Sequence, residues 1–143
     1  MAMRIEAATE ATQELLEALR SLLPQLNPEL PQLTMDRLAK VVSDPSSTLL
    51  LARDGDAIAG TATLLVYATP AHTKARIEDV VVDESARGRG VGEALVRHCI
   101  EVAREKGAEI VELQSARWRE VANRLYPRLG FELRDSNLYR LNL

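Results

Sequence analysis

The chain has 143 residues, of which 46% are hydrophobic and 27% are charged, and this length and composition suit a single domain, residues 1–143, with a hydrophobic core. The 18 basic and 21 acidic residues leave a net charge of −3 without a long basic run, which argues against nucleic-acid and anionic-membrane partners. The single cysteine, Cys99, excludes an intramolecular disulfide, and the lack of a signal-like or membrane-length apolar segment predicts a cytoplasmic protein.

The first third of the chain is predicted to contain one strand and two helices. Residues 3–7 favour a short strand, and Thr9 is the predicted N-cap of the helix that follows. That helix is indicated by an apolar stripe with helical spacing, namely Ala11, Leu15, Leu19 and Leu22. Three prolines are expected to break it into an extended connection: Pro24, Pro28 and Pro31. Helical spacing returns over residues 35–42, behind Thr34 as N-cap.

The middle of the chain favours extended structure. Residues 48–52 and 58–67 are rich in β-branched side chains and flank a turn sequence at 53–56, so they are predicted to form an antiparallel hairpin. Residues 69–75 contain a proline and predict a loop. The next predicted strand, 76–82, leads towards a glycine-rich segment.

This glycine-rich segment reads Arg87-Gly88-Arg89-Gly90-Val91-Gly92. Glycine reaches backbone angles closed to other residues and lets a ligand approach the main chain. The helix predicted to follow, over residues 92–106, begins with unpaired N–H groups and a dipole that both favour negative charge. The segment therefore predicts a phosphate or pyrophosphate site, to which the two arginines add charge. A tight turn carrying two solvated arginines is the alternative.

The last third of the chain alternates helices and strands. Helix 92–106 carries Leu95, Cys99 and Val102 on one stripe and is expected to end at Gly107. A strand is predicted at 110–113, a helix at 117–129, and two final strands at 131–133 and 138–141. The predicted order is β-α-α-β-β-β-α-β-α-β-β, an α/β (α+β) arrangement of about seven strands and four helices.

Two motifs in the chain resemble those of the GNAT superfamily of N-acetyltransferases, which transfer an acetyl group from acetyl-CoA to an amine. Arg-x-x-Gly-x-Gly at 87, 90 and 92 resembles the family's pyrophosphate-binding motif. Ala122-x-x-Leu125-Tyr126-x-x-Leu129-Gly130-Phe131 resembles a segment whose tyrosine lies near the thiol of CoA. The resemblance covers nearly the whole chain and implies a three-layer α-β-α fold with a mixed, mostly antiparallel sheet.

The resemblance implies roles for particular residues. Tyr126 is the candidate general acid that protonates the departing thiolate, and Glu78 is the candidate base that deprotonates the amine. Main-chain groups of 80–82 are expected to bind the pantetheine arm as an added strand would, with an oxyanion donor near Val80. The predicted cofactor-binding residues are Val80, Val81, Val82, Arg87, Gly88, Arg89, Gly90, Val91 and Gly92.

Several alternatives stay open at this level. Strand alternation places Glu78 and Asp79 on opposite faces, but a bulge would change the facing, so Asp79 is a rival base. Arg119 stands where the family often has asparagine, and the sequence does not decide whether Ser115, Arg117 and Arg119 contact CoA. No ligand-spaced cluster suggests a metal site.

Function also has alternatives. Acetyl transfer by direct attack of the amine in a ternary complex is the main prediction, with a non-catalytic acetyl-CoA-binding module or sensor as the other class. The acceptor is open between small amines, aminoglycosides, amino acids and protein amines. The terminal strand and the surfaces rich in Val and Leu suggest a homodimer as a further option.

Overall fold

The central element of the fold is a five-stranded sheet, seen in a computed structural model that describes residues 3–143. The strands lie side by side in chain order. They are β1 (Met3–Ala7), β2 (Ser47–Asp54), β3 (Ala57–Ala68), β4 (Thr73–Val82) and β5 (Ile110–Leu113). Pairing is antiparallel from β1 through β4 and parallel between β4 and β5. The sheet is therefore mixed and mostly antiparallel, as predicted.

Helices cover both faces of the sheet. They are α1 (Gln13–Leu26), α2 (Met35–Ser43), α3 (Val91–Glu105) and α4 (Glu120–Arg128), with a short 3₁₀ turn at Glu84–Ala86. Leucines of α1 and α2 pack with Leu49 and Leu51 on one face. On the other face α3 packs with Leu50 and Leu64, and Tyr126 of α4 joins the same cluster. These contacts confirm the three-layer α-β-α arrangement. Over residues 3–143, no helix has the length and apolar character needed to span a bilayer.

The ends of α1 and α4 lie away from their predicted positions. The N-cap of α1 is Thr12 rather than Thr9, because the Thr12 hydroxyl accepts the Leu15 N–H at 3.1 Å. The helix also continues through Pro24, which lies on its exposed side, and closes with the Asn27 N–H donating to Leu23. Its buried leucines hold the last turn against the sheet. At the other end of the chain, α4 begins at residue 120 rather than 117.

Residues 131–143 contradict the two predicted final strands, 131–133 and 138–141. They belong to no β-ladder, and residues 132–143 are all exposed. An alternating pattern makes a strand only where a neighbouring strand accepts and donates the main-chain hydrogen bonds, and here no such neighbour lies alongside. Over the described residues the sheet has five strands rather than about seven, and β5 is left as an open edge.

Gly60 of β3 lets α3 approach the sheet closely. A Cβ atom at this position would lie 3.0 Å from the Val81 carbonyl oxygen, 3.2 Å from Leu95 Cδ1 and 3.3 Å from Val91 Cγ1. The first of these distances is set by backbone, which does not move aside easily. The same contact seats the start of α3, and therefore the glycine-rich segment before it, against the sheet.

Replacing Gly60 by alanine is expected to lower the free energy of unfolding by about 1–3 kcal/mol, since it overpacks a filled interface. Chemical denaturation followed by circular dichroism measures this loss. Gly92→Ala is the matched control, because its new Cβ would meet Val82 Cγ2 at an ordinary 3.7 Å. If the two variants unfolded at the same denaturant concentration, the tight contact at Gly60 would be contradicted.

Candidate active site

β4 separates from β5 halfway along its length. The parallel ladder between them runs from Lys74 beside Ile110 to Ile77 beside Leu113 and then ends. On its other side β4 stays paired with β3 as far as Val82. The main chain of residues 78–82 therefore presents one open edge, which is the arrangement that binds an extended ligand through backbone hydrogen bonds. Val80, Val81 and Val82, predicted to bind pantetheine, all lie on this stretch.

A β-bulge interrupts β4 at the same place. Thr61 pairs with Val81 but Thr63 pairs with Glu78, so two residues of β4 stand opposite one residue of β3. Asp79, within the bulge, has φ 53°, a left-handed conformation that costs a non-glycine residue about 1 kcal/mol. After the bulge, side chains that would have pointed to one face of the sheet point to the other. Ile77 packs in the α3 cluster and Val81 in the α1 cluster, although a regular strand would place both on one face.

Of the two candidate bases, Glu78 lies immediately before the bulge and Asp79 lies within it. Glu78 follows Ile77 in the regular part of β4 and so faces the α1 side of the sheet. Its carboxylate accepts a hydrogen bond from Arg76 Nε at 2.5 Å, and Arg76 also donates to Gln114 Oε1 at 2.5 Å. The pKa of the Asp79 carboxyl is raised, chiefly because surrounding protein removes part of its hydration and secondarily by the charge of Glu78.

The glycine-rich segment forms an open cradle in front of α3. Gly88 and Gly90 have φ of 80° and 79°, and a Cβ at either position would meet no described protein atom within 4 Å. Gly90 is the N-cap, so α3 begins at Val91, one residue earlier than predicted. The first helical bond at this end joins the Ala94 N–H to Gly90 O at 3.0 Å. The amides before Ala94 are therefore directed outward, where an anion would find donors and space.

Both arginines of the segment are held beside the cradle. Arg87 Nε donates to the Val82 carbonyl at 3.1 Å. Arg89 forms an ion pair with Asp54 at 3.1 Å while its side chain stays about half exposed. Their side chains are thus fixed on protein acceptors at the ends of β2 and β4, and the cations remain close to the loop.

Gln25 of α1 supports the start of the cradle, and sequence reasoning did not find it. Its amide donates to Asp83 Oδ1 at 2.8 Å and accepts from the Glu84 N–H at 3.0 Å and from Arg87 at 3.4 Å. Hydrogen bonds from Ser85 and Gln25 lower the pKa of Asp83. The expectation that Pro24 ends the helix hid this contact, since only a helix continuing past Pro24 brings the next residue to the loop.

Tyr126 lies half-buried on α4 and packs against the cluster that contains the buried side of α3. Its ring packs edge-to-face on Phe131, with centroids 5.9 Å apart and planes at 70°. Burial raises the pKa of its phenol, and the guanidinium of Arg119 offsets part of that rise. Arg119 itself donates to the Leu26 carbonyl at 3.4 Å, which ties the start of α4 to the end of α1. A neutral phenol is the form required of a proton donor.

Ser115 follows β5 where β4 and β5 diverge. Its hydroxyl oxygen is buried and has no hydrogen-bond partner among residues 3–143, which is unusual for a buried polar atom. Arg117, the other uncertain residue here, is exposed to solvent.

Cys99 is placed in the core, as predicted. It is fully buried on α3, and burial raises the pKa of its thiol to about 12. Burial keeps the Cys99 thiol away from a bound substrate, and its raised pKa keeps it protonated at neutral pH, so the structure argues against an acyl-cysteine route. Within residues 3–143 there is no group of three His, Cys, Asp or Glu side chains placed to hold a metal ion.

Comparisons with known proteins agree with this geometry. A model of the acetyltransferase (GNAT) family matches residues 11–131. Streptothricin acetyltransferase of Streptomyces lavendulae is 34% identical over 100 residues, which are 68% of this chain and 51% of that protein. Glucosamine 6-phosphate N-acetyltransferase of Trypanosoma brucei brucei is 37% identical over 89 residues, which are 60% of this chain and 58% of that protein. The matched regions thus span little more than half of either curated relative.

A solved structure matches over almost the entire chain. A putative acetyltransferase from Agrobacterium tumefaciens str. C58 superposes with a TM-score of 0.85 at 31% identity, covering 97% of this chain and 99% of that one. The likeness therefore extends over all the elements that form the cradle, the open edge of β4 and the helix carrying Tyr126.

Proposed function

The chain belongs to the acetyltransferase (GNAT) family, and on that basis we propose that it transfers the acetyl group of acetyl-CoA to an amine by direct attack in a ternary complex. The observation that carries the proposal is the continuity of the open edge of β4 with the amide-lined cradle at 88–92. A single extended ligand with a diphosphate at one end fits both the open edge of β4 and the cradle. Residues 1–143 act as one such domain in this proposal.

Acetyl-CoA is bound chiefly through the main chain. The diphosphate accepts hydrogen bonds from amides of Gly88 to Gly92, with Arg87 and Arg89 contributing charge. The pantetheine arm lies along residues 80–82 of β4 as an added strand. A main-chain N–H near Val80 donates to the thioester oxygen as negative charge develops on it, and such donors contribute about 3–4 kcal/mol.

Two side chains move protons in the proposed reaction. Glu78 removes a proton from the acceptor ammonium, whose nitrogen then attacks the thioester carbon. The new C–N bond forms as the C–S bond breaks, and the thiolate of CoA takes the phenolic proton of Tyr126. Asp79 is the second candidate for the base because the bulge removes it from the regular alternation of β4.

The acceptor is proposed to be a primary amine of a small polar molecule. The supporting observation is that the two curated relatives described above are named for glucosamine 6-phosphate and streptothricin. Both compounds are therefore the first acceptors to test. A cytoplasmic location and a homodimer stay predictions from the sequence.

Thiol release from acetyl-CoA, measured across a panel of amines, tests the proposal directly. The panel contains glucosamine 6-phosphate, streptothricin, aminoglycosides, amino acids and an N-terminal peptide. Amine-dependent release of CoA is expected, with the acetylated product identified by mass spectrometry. Saturable binding of acetyl-CoA without release in any mixture would instead support the sensor alternative, and the absence of binding would contradict both.

Gly90→Ala is expected to raise the dissociation constant of CoA by about tenfold, equal to the loss of roughly one charge-assisted hydrogen bond. The new Cβ enters the space proposed for the diphosphate. Isothermal titration calorimetry measures the change. Gly107→Ala is the matched control, because Gly107 has φ 82° and an equally open Cβ position but lies at the other end of α3. Equal loss of affinity in both variants would show that the cradle does not bind CoA.

A further inference from the structure

One face of β4 is charged over residues 73–78. Ile77 is buried in the cluster under α3, so the even-numbered residues of this stretch face the α1 side of the sheet. They are Lys74, Arg76 and Glu78. Among the described residues, the apolar cluster under α1 takes in Val81 of β4 but none of residues 73–78. Charged side chains therefore line the sheet face that leads to the open edge of β4.

The charges on this face are paired, but Arg76 keeps donors in reserve. Lys74 Nζ lies 3.1 Å from Glu112 of β5, and Arg76 donates to Glu78 and to Gln114. A guanidinium has five N–H donors, and over residues 3–143 the side chain of Arg76 makes these two hydrogen bonds. The Arg76 and Glu78 side chains are 28% and 39% exposed. A ligand from solvent can therefore reach both charges, and Arg76 can bind an anion while it still contacts Glu78.

The Arg76–Glu78 pair lies beside the position proposed for the thioester. The ladder between β4 and β5 ends at Ile77, and the donor to the thioester oxygen is proposed near Val80. Residues two apart on a strand are separated by about 7 Å. The order along β4 is therefore a cation at 76, the proposed base at 78 and the thioester near 80. An acceptor with its amine at Glu78 has Arg76 on the side away from the thioester.

The charges of this pair distinguish between classes of amine. An ammonium group that approaches Glu78 also approaches the guanidinium of Arg76, which repels it. An anionic group on the same acceptor offsets that repulsion by accepting hydrogen bonds from Arg76, whose planar fork matches carboxylate and phosphate. We propose, on the basis of the function proposed above, that Arg76 determines acceptor specificity. The acceptor is a primary amine that also bears a carboxylate or phosphate, and Arg76 binds this anion while Glu78 takes the amine proton.

Pairs of acceptors that differ in the anionic group test this assignment. Glucosamine 6-phosphate with glucosamine reports on phosphate, and an amino acid with its amide reports on carboxylate. In the wild type, kcat/KM is expected to be about 10- to 100-fold higher for the anionic member of at least one pair, as one charge-assisted interaction provides. Values are taken from full pH profiles, because the anionic group also changes the pKa of the amine. Equal kcat/KM within both pairs would overturn the proposal.

Arg76→Gln separates acceptor specificity from a purely structural role. The ratio of kcat/KM between the two members of the preferred pair is expected to fall to about one, chiefly through KM, and Arg76→Lys should retain part of the preference. Arg37→Gln removes an exposed arginine on α2 as the control. Circular dichroism and calorimetric binding of CoA verify the fold and the cofactor site. An equal loss for both members, with the ratio preserved, would show that Arg76 only holds Glu78 in place and would overturn the proposal.

Failure of this inference is distinguishable from failure of the proposed function. Transfer to neutral and anionic amines alike contradicts the role of Arg76 and leaves the acetyltransferase reaction established. The absence of transfer to every amine contradicts the proposed function and this inference with it.

Discussion

The Tyr126→Phe variant is expected to release CoA about 100- to 10,000-fold more slowly than the wild type, which is the usual contribution of a positioned acid. The loss should appear in kcat, with acetyl-CoA affinity almost unchanged, because phenylalanine retains the ring that packs on Phe131. The physical reason is that the thiolate of CoA would leave without a proton. Single-turnover thiol release together with calorimetric binding of CoA measures the two effects separately.

The pH dependence of kcat sharpens the test of Tyr126. Burial raises its pKa above the ordinary tyrosine value of 10.0, so the donating phenol persists at neutral and mildly alkaline pH and is lost only as pH rises through the raised value. In the wild type, the fall of kcat at alkaline pH should therefore occur above pH 10.0. This fall should be absent from the pH profile of Tyr126→Phe. Tyr139→Phe removes an exposed hydroxyl as a control. Unchanged turnover in Tyr126→Phe would remove this residue from the mechanism.

Glu78→Gln is expected to lower kcat/KM at neutral pH by about 100- to 10,000-fold, because the acceptor ammonium would have no base. Raising the pH should recover part of the activity, since a growing fraction of the amine is then already deprotonated. Steady-state kinetics from acid to alkaline pH measure both effects. A uniform loss without recovery at high pH would indicate that Glu78 holds the site together through Arg76 rather than accepting the proton.

Asp79→Asn is the matched variant for this experiment. Asparagine tolerates the left-handed conformation at Asp79 and preserves the size of the side chain. A much smaller loss than in Glu78→Gln is expected. If Asp79 were the base, Asp79→Asn rather than Glu78→Gln would show the large loss of kcat/KM. The wild-type activity would then fall, on acidification, at a pH above the ordinary aspartate value of 3.8. The reason is that the pKa of Asp79 is raised, and its carboxylate is protonated as pH falls through that pKa.

Local patterns predicted most of the elements correctly. The leucine stripe of α1, the hairpin of β2 and β3, and the stripe of α3 all arise from the spacing of apolar residues within about fifteen positions. The positive φ values at Gly88 and Gly90 follow equally from glycine itself. The family was visible in two motifs for the same reason, since each motif is contiguous in the chain.

The last two strands show where local patterns are insufficient. Residues 131–133 and 138–141 have the alternation of strands, yet they join no ladder because a strand depends on a neighbour that the pattern does not specify. The continuation of α1 beyond Pro24 likewise depends on tertiary contacts, since the leucines of this helix pack against the sheet.

The sequence by itself determined the order of elements from β1 to α4, the family and the glycine cradle at 88–92, because these are encoded in spacing and in the conformational range of glycine. Only the tertiary structure decided how the site is assembled: the bulge at Asp79, the separation of β4 from β5 after Ile77, and the support of the loop by Gln25. These features arise from the pairing register and from contacts between residues more than fifty positions apart. Such contacts are set by the packing of the layers, which no stretch of local sequence contains.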